Sequence, residues 1–299
     1  MIYSVSDVVE YYLQRRVLTD VSINQYRVVA ARFERNVVSE LTSITEDRLL
    51  AWRDQVLARA SGTTFNNYLR HLRAVFNYAE RRGVLPIRNH FRELSYAPTV
   101  RRRNKTLEDG ALDKAIRYLQ ASDAITPSWF WLALVRFMAH TGVRARQVVT
   151  LRWHDIDFVK KTICLRAEGS KTRREWSIPL TDGVAADLRR LRIRTEKIVE
   201  VKSGDQVFNV TRLAWRYRGP EMTVEQLCGF FRRLSERIGC KISARRLRHS
   251  FGTQLGNAET PDIMAIKEIM GHTDIRTTQI YIAVKVDHMR KVMSDAGIC

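Results

Sequence analysis

Apolar residues recur every three or four positions through the first ninety residues, the period of helices that bury one face. "TDVSINQYRVVAARFERNV" places Ile23, Tyr26, Val29, Ala30 and Phe33 on one such face. "SVSDVVEYYLQRR" begins after a Ser cap, and "TEDRLLAWRDQVLARAS" has a Thr cap, an acidic first turn and an expected stop at Gly62. "TTFNNYLRHLRAVFNYAERRG" repeats the plan with Leu69, Leu72, Val75, Phe76 and Ala79. Residues 1–98 are therefore expected to form a small four-helix domain.

The pattern breaks at "FRELSYAPTVRRRNKT", where Pro98 precedes Arg101, Arg102, Arg103 and Lys105. Residues 99–105 read as a basic linker, and residues 106–299 as a second, mostly helical domain. "SWFWLALVRFMAHTG" is apolar nearly all round, as a buried helix is. "KTICLRAEGSKTRREWSIPL" alternates apolar and polar residues on both sides of "EGSKTR", which predicts an antiparallel hairpin with Lys171 at or beside its turn. "TVEQLCGFFRRLSERIG" carries a Thr223–Gln226 capping box, and "TPDIMAIKEIMG" suggests Thr260 as cap, Pro261 at the first helical position and Gly271 as stop. The fold class is mainly α with a small antiparallel sheet in the second domain.

Charge narrows the function. The chain of 299 residues carries a net charge of +19, which favours a polyanionic partner, most simply nucleic acid. Residues 1–98 hold 14 Lys/Arg against 10 Asp/Glu, and residues 106–299 hold 33 against 22, so the excess is spread over both domains. Cys164, Cys228, Cys240 and Cys299 are scattered without metal-ligand spacing and read as reduced thiols. With no membrane-length apolar run and no leader pattern at the start, a soluble cytoplasmic protein is expected, nucleoid-associated when bound to DNA.

Four segments acquire meaning together. "AHTGVRARQVVTLRW" puts Arg144 at the start of a helix, and the hairpin offers Lys171. "ISARRLRHSFG" sets Arg245 and Arg248 at i and i+3, on one helix face. "GHTDIRTTQIYI" supplies His272 and Tyr281. Arginines, a lysine, a histidine and a tyrosine without a carboxylate cluster suit a phosphodiester reaction that uses no metal. Two guanidinium forks can neutralise transition-state charge. A tyrosine can be the nucleophile, and a lysine can protonate the leaving oxygen.

On these segments the chain resembles the tyrosine recombinases of the phage-integrase and Xer group. "TGVR" is similar to that family's first box, "LRHSFGT" to its second, "GSKTRREWSIPL" to its lysine hairpin and "GHTDIRTTQIYI" to its nucleophile segment. The resemblance implies a two-domain DNA clamp with a tyrosine recombinase catalytic fold, and a core-binding domain over residues 1–98. It implies Arg144, Lys171, Arg245, Arg248, His272 and the nucleophile Tyr281 as catalytic residues. Arg101, Arg102, Arg103, Lys105 and Arg173 are expected DNA contacts. It also implies a 3′-phosphotyrosyl link, exchange through a Holliday junction, and no metal or other cofactor. The implied partners are double-stranded recombination sites, a homotetramer on synapsed DNA (monomer or weak oligomer when free), and accessory DNA-bending or directionality proteins. The tail after Tyr281 is expected to dock on a neighbouring subunit.

Two positions depart from the family pattern. Gln147 stands where an acid is usual, and Arg245 where a histidine is usual. Arginine donates hydrogen bonds but cannot deprotonate Tyr281. These departures keep open a relative that binds DNA without cutting it; a relaxing topoisomerase of related chemistry fits the boxes less well. His249 reads as a buried structural histidine, Arg246 as basic surface or a nonspecific phosphate contact, and Arg152 and Trp153 as a helix end.

Overall fold

The computed structural model describes residues 3–99, 105–169, 174–282, 293–294 and 297–298. The chain divides into two compact units, Met1–Arg102 and Arg103–Cys299. The first contains α1 (Val5–Leu13), α2 (Asp20–Asn36), α3 (Glu46–Arg59) and α4 (Gly62–Arg81). Ser4, Thr19, Thr45 and Ser61 cap the four helices, each side-chain oxygen accepting a backbone N–H of the first turn. Gly62 is thus not the stop of α3. That helix ends at Arg59, and Ser61 opens the next one immediately, so Gly62 is the first residue of α4. The expected α4 face, Leu69, Leu72, Val75, Phe76 and Ala79, is wholly buried. It meets Phe33, Trp52 and Phe91 in an aromatic core, with Phe76 and Phe91 centroids 4.5 Å apart.

The second unit contains α5 (Ala111–Ala121), α6 (Ser128–Thr141), α7 (Ala145–Thr150), β1 (Ile156–Asp157), β2 (Thr162–Leu165), β3 (Trp176–Pro179), α8 (Asp182–Glu196), α9 (Val224–Ile238), α10 (Ala244–Gly256), α11 (Ile263–Met270) and α12 (Arg276–Gln279). The apolar α6 runs through its core and packs on α5, α8 and α10. Its Trp131 stacks on Phe230 of α9 at 4.0 Å, while Arg136 pairs with Asp187 of α8. The strands form an antiparallel sheet in the order β1-β2-β3, with Ile163 opposite Ile178. Strand β1, which the alternation did not announce, is two residues long and pairs Ile156 with Ile163. Lys171 and Arg173 of the β2–β3 connection lie outside the described residues, as do Arg101, Arg102 and Arg103.

Three more local expectations change. Asp262, not Thr260, caps α11: its carboxylate accepts the N–H groups of Met264 and Ala265, leaving Pro261 before the helix. Arg246 is not a free basic group, because its Nη1 donates to Thr106 O at 2.8 Å and ties the segment before α5 to α10. Arg152 and Trp153 do not end a helix; they lie after Leu151, and Arg152 pairs with Glu221 while Trp153 starts a short 3-10 turn.

Candidate active site

Two helix ends build the floor of the site. Helix α6 stops at Gly142 (φ +62°) and α11 stops at Gly271 (φ +59°), both left-handed. Glycine is required there twice over. A Cβ on Gly142 would lie 2.3 Å from the Phe251 ring, and one on Gly271 would lie 2.0 Å from the Trp176 ring. The last carbonyls of a helix have no partner within it and sit at its negative end. Here arginines take them. Arg248 donates Nη1 to Gly142 O at 2.7 Å and Nη2 to Met270 O at 2.6 Å. Arg144, the residue that caps the start of α7, donates Nη2 to Gly271 O at 3.2 Å. Its backbone N–H is accepted by Gln147 Oε1 at 2.8 Å, so glutamine supplies the acceptor an acid would offer, without the charge. Among the described residues, Arg144 Nη1 is buried without a hydrogen-bond partner.

Arg248 is 9% exposed. Burial, followed by the like charge of Arg144, brings its guanidinium down to about 9, still charged at neutral pH. Burial also lowers Arg144. His272 follows the α11 stop and is held at both nitrogens. Its Nε2 accepts from Arg248 Nη2 at 3.0 Å, so Nδ1 carries the ring proton and donates to Thr278 Oγ1 at 2.9 Å. Burial and then the charges of Arg248 and Arg144 push His272 down to about 4, which keeps it neutral.

Helix α10 seats the tyrosine. Arg245, His249, Gly252 and Gly256 follow one another at spacings of four, three and four, a single stripe along the helix. A Cβ on Gly252 would stand 2.9 Å from the Tyr281 ring, and one on Gly256 would stand 2.2 Å from the Tyr281 carbonyl oxygen. The stripe therefore has no side chain where Tyr281 lies. Tyr281 is 4% exposed, packs with Ile266 and Met270, and lies parallel to the His272 ring at 6.0 Å. Its Oη is 2.9 Å from His249 Nδ1. Burial raises the phenol's pKa, while the charges of Arg248, Arg144 and Arg245 pull it down.

The structure thus brings together Arg144, Arg245, Arg248, His272 and Tyr281 from segments far apart in sequence. Lys105 is exposed on the segment before α5. The residue that sequence reasoning left out is His249. It is buried, as expected of a structural histidine, yet it touches the tyrosine oxygen. Its i+4 spacing from Arg245 was the available signal, but a helix period alone does not tell a core face from a site face.

The chain is similar to several known proteins. The phage integrase family matches residues 112–288. A protein assigned as tyrosine recombinase XerC in Pseudomonas aeruginosa is 30% identical over 95% of this chain and 70% of its own length. Another in Pseudomonas syringae is 32% identical over 85% of this chain, which spans only 55% of that relative. Among solved structures, the Tn1549 transposon integrase in complex with transposon right end DNA aligns over 98% of this chain and 99% of its own. Its TM-score is 0.79 at 19% identity. A lambda integrase tetramer bound to a Holliday junction aligns over 93% of this chain and 76% of its own, with a TM-score of 0.73 at 17% identity. At such identities the structural likeness concerns the fold. The family match spans more than half of the chain and coincides with the unit that holds the arginines, histidines and tyrosine: the chain belongs to the phage integrase family of tyrosine recombinases.

Proposed function

We propose that the chain is a site-specific DNA recombinase that cuts and rejoins strands through Tyr281. The observation that carries this reading is the convergence of the Tyr281 oxygen with Arg248, Arg144 and His272 in one buried site of hydrogen-bond donors. In this mechanism the Tyr281 phenol releases its proton to solvent and the phenolate Oη attacks the scissile phosphorus. The P–O5′ bond breaks, leaving a 3′-phosphotyrosyl link and a free 5′-hydroxyl. Arg248 and Arg144 stabilise the charge on the non-bridging oxygens, with the unpartnered Nη1 of Arg144 as one donor. Lys171 protonates the departing 5′-oxygen, and His272 orients Arg248. The bond energy is retained in the phosphotyrosyl link, so the partner strand's 5′-hydroxyl can reverse the step without a nucleotide. Exchange passes through a Holliday junction.

The likeness to integrases solved with transposon DNA and on a Holliday junction supports duplex sites as substrate and a homotetramer as the working assembly. The first unit and the basic residues Arg101, Arg102, Arg103, Lys105 and Arg173 would hold the duplex. The tail after Tyr281 would dock on a neighbour, and DNA-bending or directionality proteins would assist. The cellular setting is the cytoplasm.

The test starts by selecting a bound duplex from a randomised pool with Tyr281→Phe. A nicked version of that duplex is then incubated with the unsubstituted chain. A detergent-resistant protein–DNA adduct, absent from Tyr281→Phe, is expected. Tight binding with no adduct would sink the enzyme reading and leave a DNA-binding family member. Relaxation of supercoiled plasmid without strand exchange would favour a topoisomerase.

A further inference from the structure

One hydrogen-bond chain plays no part in the mechanism above. Arg245 Nε donates to His249 Nε2 at 3.2 Å, and His249 Nδ1 meets Tyr281 Oη at 2.9 Å. The Arg245 Nε always bears its hydrogen, so His249 Nε2 must be an acceptor. A neutral imidazole with a bare Nε2 carries its proton on Nδ1. Its Nδ1–H therefore points at Tyr281, whose oxygen is the acceptor. Protonation of His249 is opposed by burial and then by the charges of Arg245 and Arg248.

We propose that Arg245 locks His249 in the Nδ1–H tautomer, making the pair a fixed donor that stabilises the Tyr281 phenolate rather than a base that deprotonates it. This rests on the reading of Tyr281 as nucleophile. Arg245 is the positioning residue, exposed at the first turn of α10; His249 is the group in contact with the reacting oxygen. No proton crosses the pair. The ring N–H remains on Nδ1 while the oxygen gains or loses negative charge, in cleavage as in rejoining. A general base at His249 would need a bare Nδ1, and hence a proton on Nε2 facing the Arg245 N–H. That arrangement sets two donors against each other 3.2 Å apart. The arginine in the place of the family's usual histidine thus acts on Tyr281 through His249, one helical turn along α10.

The other charged groups acting on this oxygen are Arg248 on the same helix and Arg144 at the start of α7, and the neutral His272 ring after α11 lies parallel to the tyrosine at 6.0 Å. Their contributions are common to every variant below. The first measurement is nitrogen NMR of the full chain with ¹⁵N-labelled histidine, using His249→Phe to assign the signal. We expect Nδ1 protonated and Nε2 bare in the unsubstituted chain, with the preference lost in Arg245→Met. A protonated Nε2 in the unsubstituted chain overturns the proposal. The second is the titration of Tyr281, followed by ¹³Cζ-labelled tyrosine and assigned with Tyr281→Phe. His249→Phe should move its midpoint up by about one pH unit, as loss of a donor to the charged form does. Arg245→Met also removes a charge that lowers the phenol, so it is read in the nitrogen spectrum only, and His249→Leu replaces His249→Phe if that variant does not fold. An unmoved midpoint overturns the proposal. Neither measurement uses DNA, so a chain that gives no adduct refutes the recombinase reading while these spectra still decide the tautomer.

Discussion

Gly256→Ala tests how the tyrosine is seated. The added methyl would stand 2.2 Å from the Tyr281 carbonyl oxygen, 2.7 Å from its carbon and 3.3 Å from Ile282 N. All three are backbone atoms, so no side chain can rotate away and the segment must retreat by about 1 Å or leave. Leaving gives up the burial of Tyr281, about 1.5–3 kcal/mol, and its bond to His249, about 1 kcal/mol. Alanine returns at most about 1 kcal/mol of helix propensity at this last position of α10. The net expectation is a loss of about 2 kcal/mol for the unit containing α10. Urea unfolding of the two chains measures it. Tyr281→Phe in both backgrounds then separates retreat from departure. In the unsubstituted chain it costs about 1 kcal/mol for the lost hydrogen bond; in the Gly256→Ala background it costs nothing if the ring has left. A Gly256→Ala chain as stable as its parent, with that cost intact, would refute the account of the glycine stripe.

Arg248→Ala strands the carbonyls of Gly142 and Met270 and lowers stability. At a temperature where circular dichroism shows it folded and a gel shift shows it bound, it should slow adduct formation at least about 100-fold, since a clamp donor acts on the transition state. An adduct at the original rate would remove Arg248 from the mechanism. His272 is held near 4 in the fold against 6.5 when unfolded. The unfolded chain therefore takes up more protons between those values, so stability is full above about pH 6.5 and falls toward pH 4. Thermal unfolding of His272→Gln should show a shallower decline across that window, and a parallel decline would contradict the burial of a neutral imidazole. Asp262→Ala should cost about 1 kcal/mol in urea unfolding through loss of two capped N–H groups, whereas Thr260→Ala should cost almost nothing.

Periodicity made the helices legible because each buries one face against a single core. The caps at Ser4, Thr45 and Thr223 follow from the same local chemistry. Gly62 and Pro261 misled for a physical reason. Each is a residue of helix ends, but which helix it belongs to depends on the neighbouring cap, Ser61 or Asp262, winning the backbone donors. Strand β1 is too short for alternation to register and exists because β2 pairs with it. The side chains of the site were visible as residue types, since arginines, histidines and a tyrosine in these short segments match a known chemistry. Their wiring was not. That Arg248 docks on the carbonyls of Gly142 and Met270, and that His249 reaches Tyr281, depends on two helices ending at one place in space.

Arg248 caps two helix ends, so a lineage that stopped cutting DNA would still need it to keep those carbonyls from being stranded in the interior. Phenylalanine at position 281, by contrast, would keep the packing against Ile266 and Met270 and forfeit one hydrogen bond. Selection for folding alone therefore guards the arginine and is nearly blind to the hydroxyl. The retained tyrosine oxygen, more than any guanidinium, is the mark of a chain under selection for chemistry.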